Sequence, residues 1–195
     1  MGTGWILIFI ILVIIVIIYI KYQNSDVTYV KSDIDNHEYL VRDVEDKQQA
    51  ANMLAKIKSY IYKLTNYLYE NRNTKYVSDK SYIEQLNDRI KNVVVLESTE
   101  DSVYTSYSIN KGEQIVFCLR SRKIKNQMHK FNLLMYVVLH EMSHVACPEY
   151  GHTPLFKKIF AFITVIAIEQ GFYQKIDFAN DPTEYCGLII TDSII

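Results

Sequence analysis

His140-Glu141-Met142-Ser143-His144 is the segment that most narrows what this chain can become. It lies in a stretch from His129 to Ala146 whose apolar residues recur at helical spacing. Phe131, Met135, Val138, Met142 and Val145 fall on one face, and Leu133 and Val137 join His140 and His144 on the opposite one. A helix apolar on both sides belongs in the middle of a domain. Two histidines and a glutamate there cost free energy unless something satisfies them. On a helix the two imidazoles stand one turn apart on one face, so both reach a single Zn²⁺. Glu141 lies one step round, where its carboxylate can hold a zinc-bound water and take its proton as general base. The motif therefore predicts one catalytic zinc ion, with His140 and His144 as metal ligands and Glu141 as the catalytic residue.

A catalytic zinc takes a third protein ligand and keeps a fourth position open. His152 leads, eight residues after His144, because Pro148 ends the helix and Gly151 permits a tight return before a new helix starts at Thr153 and Pro154. Glu149 in the loop and Glu169, 25 residues on, are the rivals. The oxyanion of the reaction wants a donor, for which Tyr150, Tyr185 and Arg120 are candidates.

The rest of the chain supplies a scaffold. Ala50, Ala51, Leu54, Ile57, Ile61, Leu64 and Leu68 predict a long amphipathic helix from Asp43 to about Tyr69. Ser81 with Glu84 opens a short second helix. Val93 to Leu96, Val103 to Ile109 and Ile115 to Leu119 predict a small sheet, the last two runs joined by a turn at Asn110-Lys111-Gly112-Glu113. An extended substrate could add to the strand Ile115–Leu119. The helix after Pro154 runs apolar all round from Ile159 to Ile168, too short to span a bilayer and so a core helix. Three cysteines, Cys118, Cys147 and Cys186, are too few for a disulfide scaffold. Their odd number suggests reduced thiols in a cytosol-like compartment, although Cys147 and Cys186 could meet.

Residues 1–22 read as a transmembrane anchor. Trp5 to Ile20 carries no charge, and Gly2 to Tyr22 extends the run to 21 residues with one charge, Lys21. At about 1.5 Å per residue that is roughly 31 Å, the thickness of a hydrocarbon core. Trp5, Tyr19 and Tyr22 suit the two interfaces, and Lys21 can snorkel. A cleaved signal peptide would need a basic start and a small-residue cleavage site, and neither is present. N-myristoylation at Gly2 fails because the sixth position is Ile6. Lys21 and Lys31 after the span place the domain on the cytoplasmic side. These features predict a single-pass protein touching the lipid bilayer through residues 5–20, with a polar stalk over 23–42 and the folded domain over 43–195.

The pair of segments His140–His144 and Gly151-His152-Thr153-Pro154-Leu155-Phe156 resembles the WLM-type and SprT-like zinc metallopeptidases. Val116-Phe117-Cys118-Leu119-Arg120 looks like the strand that precedes the active helix there. With Cys147-Pro148-Glu149 and Pro182 to Gly187, the pattern is similar to the predicted metallopeptidases of large DNA viruses. Seven residues separate His144 from His152, more than in WLM proteins and fewer than in many SprT-like ones. The resemblance covers about Val93 to Gly187. It implies an α+β, zincin-like minimal metalloprotease domain, with a small antiparallel or mixed sheet plus active-site and backing helices, behind the N-terminal helix. It also implies a protein or peptide substrate. The combined expectation is a membrane-anchored zinc peptidase of a host or virion membrane.

The alternative is a non-catalytic, zinc-stabilised membrane or virion adaptor protein that docks through Tyr60, Tyr62, Tyr67 and Tyr69. The basic run Arg120, Arg122, Lys123 and Lys125 reads as a solvated loop, with contact to lipid phosphates or nucleic acid the sharper alternative. A net charge of −1, from 21 basic and 22 acidic residues, argues against nucleic acid. The oligomeric state is not legible.

Overall fold

Two short alternating segments, joined through a turn with Asn36 at φ 60°, open the folded body in the computed structural model. The structure describes residues 3–23, 26–124 and 127–195, with the side chains of 3 and 18–23 outside that description. The opening strands are β1 (Val27–Lys31) and β2 (Glu38–Arg42), paired antiparallel with Val27 opposite Arg42. They stand where the polar composition suggested a stalk. The reason is period-two patterning within that composition, for Tyr39 and Val41 on one face of β2 are buried.

The helix preceding them, α1 (Thr3–Gln23), exposes its described side chains from Trp5 to Ile17. Those side chains cover 4–17, about 21 Å at 1.5 Å per residue against about 30 Å of hydrocarbon. Among the described residues no helix is long and apolar enough to cross a membrane. The expected anchor over 1–22, the bilayer contact through 5–20 and the membrane localisation are corrected on that finding. Gly2 and the side chains of Tyr19, Lys21 and Tyr22, on which that expectation drew, lie outside the described residues.

The long amphipathic helix is α2 (Lys47–Asn71), which buries Ala50, Leu54, Ile57, Ile61, Leu64 and Leu68 completely. A 3-10 turn, Val77–Asp79, leads into α3 (Lys80–Ile90), which buries Ile83, Leu86 and Ile90. The tyrosines of α2 are not a free docking surface. Tyr60, Tyr62, Tyr67 and Tyr69 are partly buried against the core, and the ring of Tyr60 meets Phe131 and Phe172 edge-on at 5.0 and 5.5 Å.

The sheet has three strands, β3 (Val94–Glu97), β4 (Ser106–Ile109) and β5 (Gln114–Phe117), in the order β3-β5-β4. β3 runs parallel to β5 and β4 antiparallel to it. The strand near Ile115–Leu119 is therefore central and has no free edge, which corrects its expected role as the site of substrate addition. That edge belongs to β4.

Two helices complete the core: α4 (Phe131–Ala146), which contacts α2, α3, α5 and β4, and α5 (Pro154–Glu169). Buried Ser143 is satisfied within α4 by donating to the Leu139 carbonyl at 2.6 Å. A last hairpin, β6 (Thr183–Tyr185) and β7 (Leu188–Ile190), closes the chain's course. The result is an α+β domain with mixed and antiparallel sheets, consistent with a small zincin-like fold.

The thiol expectation is also corrected. Cys118 and Cys186 form a disulfide across 68 residues, and Cys147 is the buried free cysteine. This removes the basis for a cytosol-like compartment.

Candidate metal centre

α4 carries His140 and His144 on one face because four residues make just over one turn. His152 reaches them through the loop between α4 and α5. Cys147 leaves the helix with extended backbone, Gly151 turns at φ 79°, and Thr153 caps α5 by accepting from the Phe156 N–H at 3.2 Å. The three Nε2 atoms then lie 3.1, 3.1 and 3.0 Å apart. Three neutral imidazoles cannot all hydrogen-bond one another through the same kind of nitrogen, so their lone pairs repel unless a cation sits among them. A point about 2.0–2.1 Å from each nitrogen, the Zn–N distance, exists about 1 Å off their plane, so the residues fit the ion.

The rings are held from behind. Phe156 stacks on His144 with centroids 4.2 Å apart, and Phe160 meets His140 edge-on at 5.2 Å. Burial and the neighbouring imidazoles push His140 down to about 3 and His144 down to about 4. Both rings are therefore neutral at pH 7 and offer lone pairs. Burial pushes Glu141, 3% exposed, up to about 8. A divalent cation nearby would reverse that by stabilising the carboxylate.

A cavity of about 650 Å³ opens over this group. Its lining includes His140, Glu141, His144 and His152, the residues Thr105 to Ser108 at the edge strand, and Tyr136 and Val137 one turn earlier on α4. Among the described residues the three histidines are the cluster able to hold a metal ion. Neither rival joins it. Glu169 is exposed at the far end of α5, and Glu149 gives its backbone carbonyl to Lys111. Cys147 is buried at the end of α4 outside the cluster. His37 pairs with Asp35, and His129 is buried beside Cys186, so both stand apart.

Sequence reasoning missed Lys111. Its ammonium donates to the carbonyls of Glu149 at 2.6 Å, Cys147 at 2.9 Å and His144 at 3.3 Å. Arg89 donates to the Val145 carbonyl and Gln85 to that of Ala146, both at 2.7 Å. These side chains satisfy the last carbonyls of α4 and fix the loop that delivers His152. The turn 110–113 was legible, and so was the need for cations at a helix end. The distance of that turn from α4 along the chain hid the connection. Gly112 explains the close approach, for a Cβ there would stand 2.9 Å from Val145.

The oxyanion candidates separate. Arg120 is buried away from the cavity, paired with Glu97 and with Asp46. Its expected roles in stabilising an oxyanion and in a solvated basic loop are both corrected, since the buried Glu97 carboxylate, with the partly exposed Asp46 beside it, demands the guanidinium. Arg122 donates to the Ser102 and Tyr104 carbonyls, and Lys125 lies outside the described residues. Tyr185 lines the cavity but is 3% exposed and engaged with the Ser106 hydroxyl, while Tyr150 is exposed at the rim. Burial, with the Glu141 carboxyl nearby, raises the Tyr185 phenol above its ordinary range.

An α+β domain with three imidazoles arranged to hold one metal ion is consistent with a metalloprotease-like domain. No protein-family model matches the chain. It is 49% identical over 175 residues to an uncharacterized protein of Acanthamoeba polyphaga mimivirus, covering 90% of this chain and 88% of that protein. The chain belongs to the family of that mimivirus protein. It is also 39% identical over 94 residues to an uncharacterized protein of Invertebrate iridescent virus 3, covering 47% of this chain and 55% of that one. A third relative, from Invertebrate iridescent virus 6, is 38% identical over 71 residues, covering 36% of this chain and 39% of the relative. Among solved structures, Wss1 from Saccharomyces cerevisiae aligns with a TM-score of 0.45 at 18% identity, over 65% of this chain and 85% of that one. The chemistry of the centre rests on its own side chains.

Proposed function

We propose that this chain is a zinc-dependent peptidase that hydrolyses peptide bonds in protein or peptide substrates. His140, His144 and His152 hold the ion and Glu141 is the general base. The observation that carries this reading is the convergence of three imidazole nitrogens within 3.1 Å of one another on the wall of an open cavity that Glu141 also lines. A cluster of three protein ligands leaves one position for water or substrate, the arrangement of catalytic rather than structural zinc.

When bound, the ion supplies Lewis acidity toward the substrate carbonyl and lowers the pKa of water. Glu141 takes the proton of the attacking water and hands it to the leaving amine nitrogen. β4 pairs with β5 along one edge, and residues 105–108 line the cavity. An extended peptide adding to the open edge of β4 would bring its carbonyls past the histidines. Tyr150, exposed on the cavity lining with the Lys111 ammonium 4.3 Å from its ring centre, is the remaining candidate donor to the developing oxyanion.

The test is cleavage of an unfolded protein by zinc-loaded wild type and by Glu141→Gln. Wild type is expected to cut, and the variant to keep its zinc while losing at least about a hundredfold in rate. Equal cleavage by the two proteins would refute the assignment of the base.

A further inference from the structure

One wall of the cavity takes no part in the proton transfers. Across β6 and β7, Tyr185 is opposite Leu188 and Thr183 opposite Ile190, so these residues share a face. Tyr185, Leu188 and Ile190 line the cavity together with Tyr136 and Val137 of α4. This apolar group stands beside the three imidazoles. Leu188 is 59% exposed there, so its surface is available to an apolar side chain of a ligand.

The hairpin turn is Cys186-Gly187, with φ at 49° and 89°. Two consecutive positive φ values define the tight turn that selects Asn-Gly or Asp-Gly, and a cysteine at its first position is disfavoured. Cys186 is there with its sulfur bonded to Cys118, directly after β5. A hairpin of three-residue strands is not stable alone. Besides the disulfide, buried Tyr185 packs on His129 and meets the Cys118 backbone, and Ser121 meets the Glu184 carboxylate, so the bond adds a covalent tether at the turn itself to contacts made by the first strand. The Cys186 N–H donates to His129 Nε2 at 3.3 Å, and Tyr185 meets Ser106 through their hydroxyls. Beyond it, the Ile194 N–H donates to the Tyr136 hydroxyl at 3.1 Å.

We infer that the Cys118–Cys186 disulfide positions the β6–β7 hairpin as the selecting wall of the cleft. The oxidised chain then prefers peptides with a bulky apolar side chain beside the scissile bond, and reduction by a dithiol relaxes that preference. In the reduction the S–S bond breaks and both cysteine sulfurs become thiols. The dithiol gives up two electrons and two protons and closes its own disulfide. The inference rests on the peptidase reading.

The experiment digests a complex peptide mixture with the full zinc-loaded chain and reads the residues around each cut by mass spectrometry. Hydrogen exchange of residues 183–190 is measured on the same samples. Oxidised wild type is expected to enrich Leu, Ile, Met or Phe at one position next to the cut by about tenfold. Dithiothreitol, and separately the double variant Cys118→Ala with Cys186→Asn, should abolish that enrichment, speed exchange in 183–190 and leave zinc content unchanged. Asn suits the turn, so this variant removes the tether and keeps the local conformation. Leu188→Asp should move the preference to Lys or Arg, which a merely structural hairpin would not do. Enrichment that survives both reduction and the double variant overturns the inference. If oxidised wild type makes no cuts, the peptidase reading fails and the selection falls with it. Faster exchange on reduction would then still uphold the positioning role, and unchanged exchange would overturn that too.

Discussion

Replacing Arg120 by Met should be among the most damaging single changes in this protein, although the residue opens what reads in sequence as a basic loop. Its side chain is 2% exposed, that of Glu97 1%, and that of Asp46 22%. Nη1 pairs with Glu97, and Nη2 and Nε donate to Asp46 Oδ1 at 2.6 and 3.2 Å. Without the guanidinium, Glu97 keeps one good donor, the Arg42 backbone N–H at 2.8 Å. A buried carboxylate left in that state costs about 3–5 kcal/mol. That is a large part of the roughly 5–15 kcal/mol by which domains are stable. For a chain of this length it corresponds to roughly 6–20 °C in Tm. Urea unfolding of the oxidised protein at pH 7 measures it. The double variant Glu97→Gln with Arg120→Met should recover at least about 1 kcal/mol, because the uncompensated charge is gone. Arg120→Lys should fall between wild type and Met, for one ammonium cannot replace a fork that serves two carboxylates. A loss below about 1 kcal/mol in Arg120→Met would refute the buried network and return Arg120 to the surface.

Two further outcomes follow from the same geometry. Lys111→Met frees the carbonyls of His144, Cys147 and Glu149, so the loop carrying His152 loosens and zinc affinity should drop by roughly tenfold, measured by competition with a chromophoric chelator. In metal-free protein, Glu141 titrates near 8 when folded and near 4.5 when unfolded, so the folded state holds an extra proton between those values and stability falls as pH rises through that window. His140 and His144 act in the opposite sense, losing stability as pH falls below 6.5 toward about 3 and 4. Unfolding in chelator should therefore show wild type losing about 2 kcal/mol more than Glu141→Gln between pH 6.5 and 8. Parallel pH profiles for the two proteins would show that Glu141 is not held protonated.

Local patterns carried much of the architecture into the sequence. The helix bearing His140 and His144, the Thr153 cap with Pro154 after it, and the turn at 110–113 are each written within a few adjacent residues. What failed to show was pairing between distant segments. The parallel register of β3 on β5, the bond from Cys118 to Cys186 and the union of Arg120 with Asp46 and Glu97 all join residues far apart in the chain. No local rule encodes them. β6 and β7 are three residues each, too short for a period to register, although Cys186-Gly187 sits where a two-residue turn would. β1 and β2 carried their signal in Tyr39 and Val41, which a polar average concealed. At the candidate centre, His152 was legible because Pro148, Gly151 and Thr153 prescribe a return path. The service of Lys111 was not, since its partners are backbone carbonyls and these have no sequence signature.

The most direct measurement is X-ray absorption at the zinc edge on the stoichiometrically loaded full chain. Three imidazole nitrogens and one oxygen at about 2.0–2.1 Å are expected. A sulfur neighbour at about 2.3 Å, or a spectrum unchanged by His152→Ala, would contradict a centre built from His140, His144 and His152.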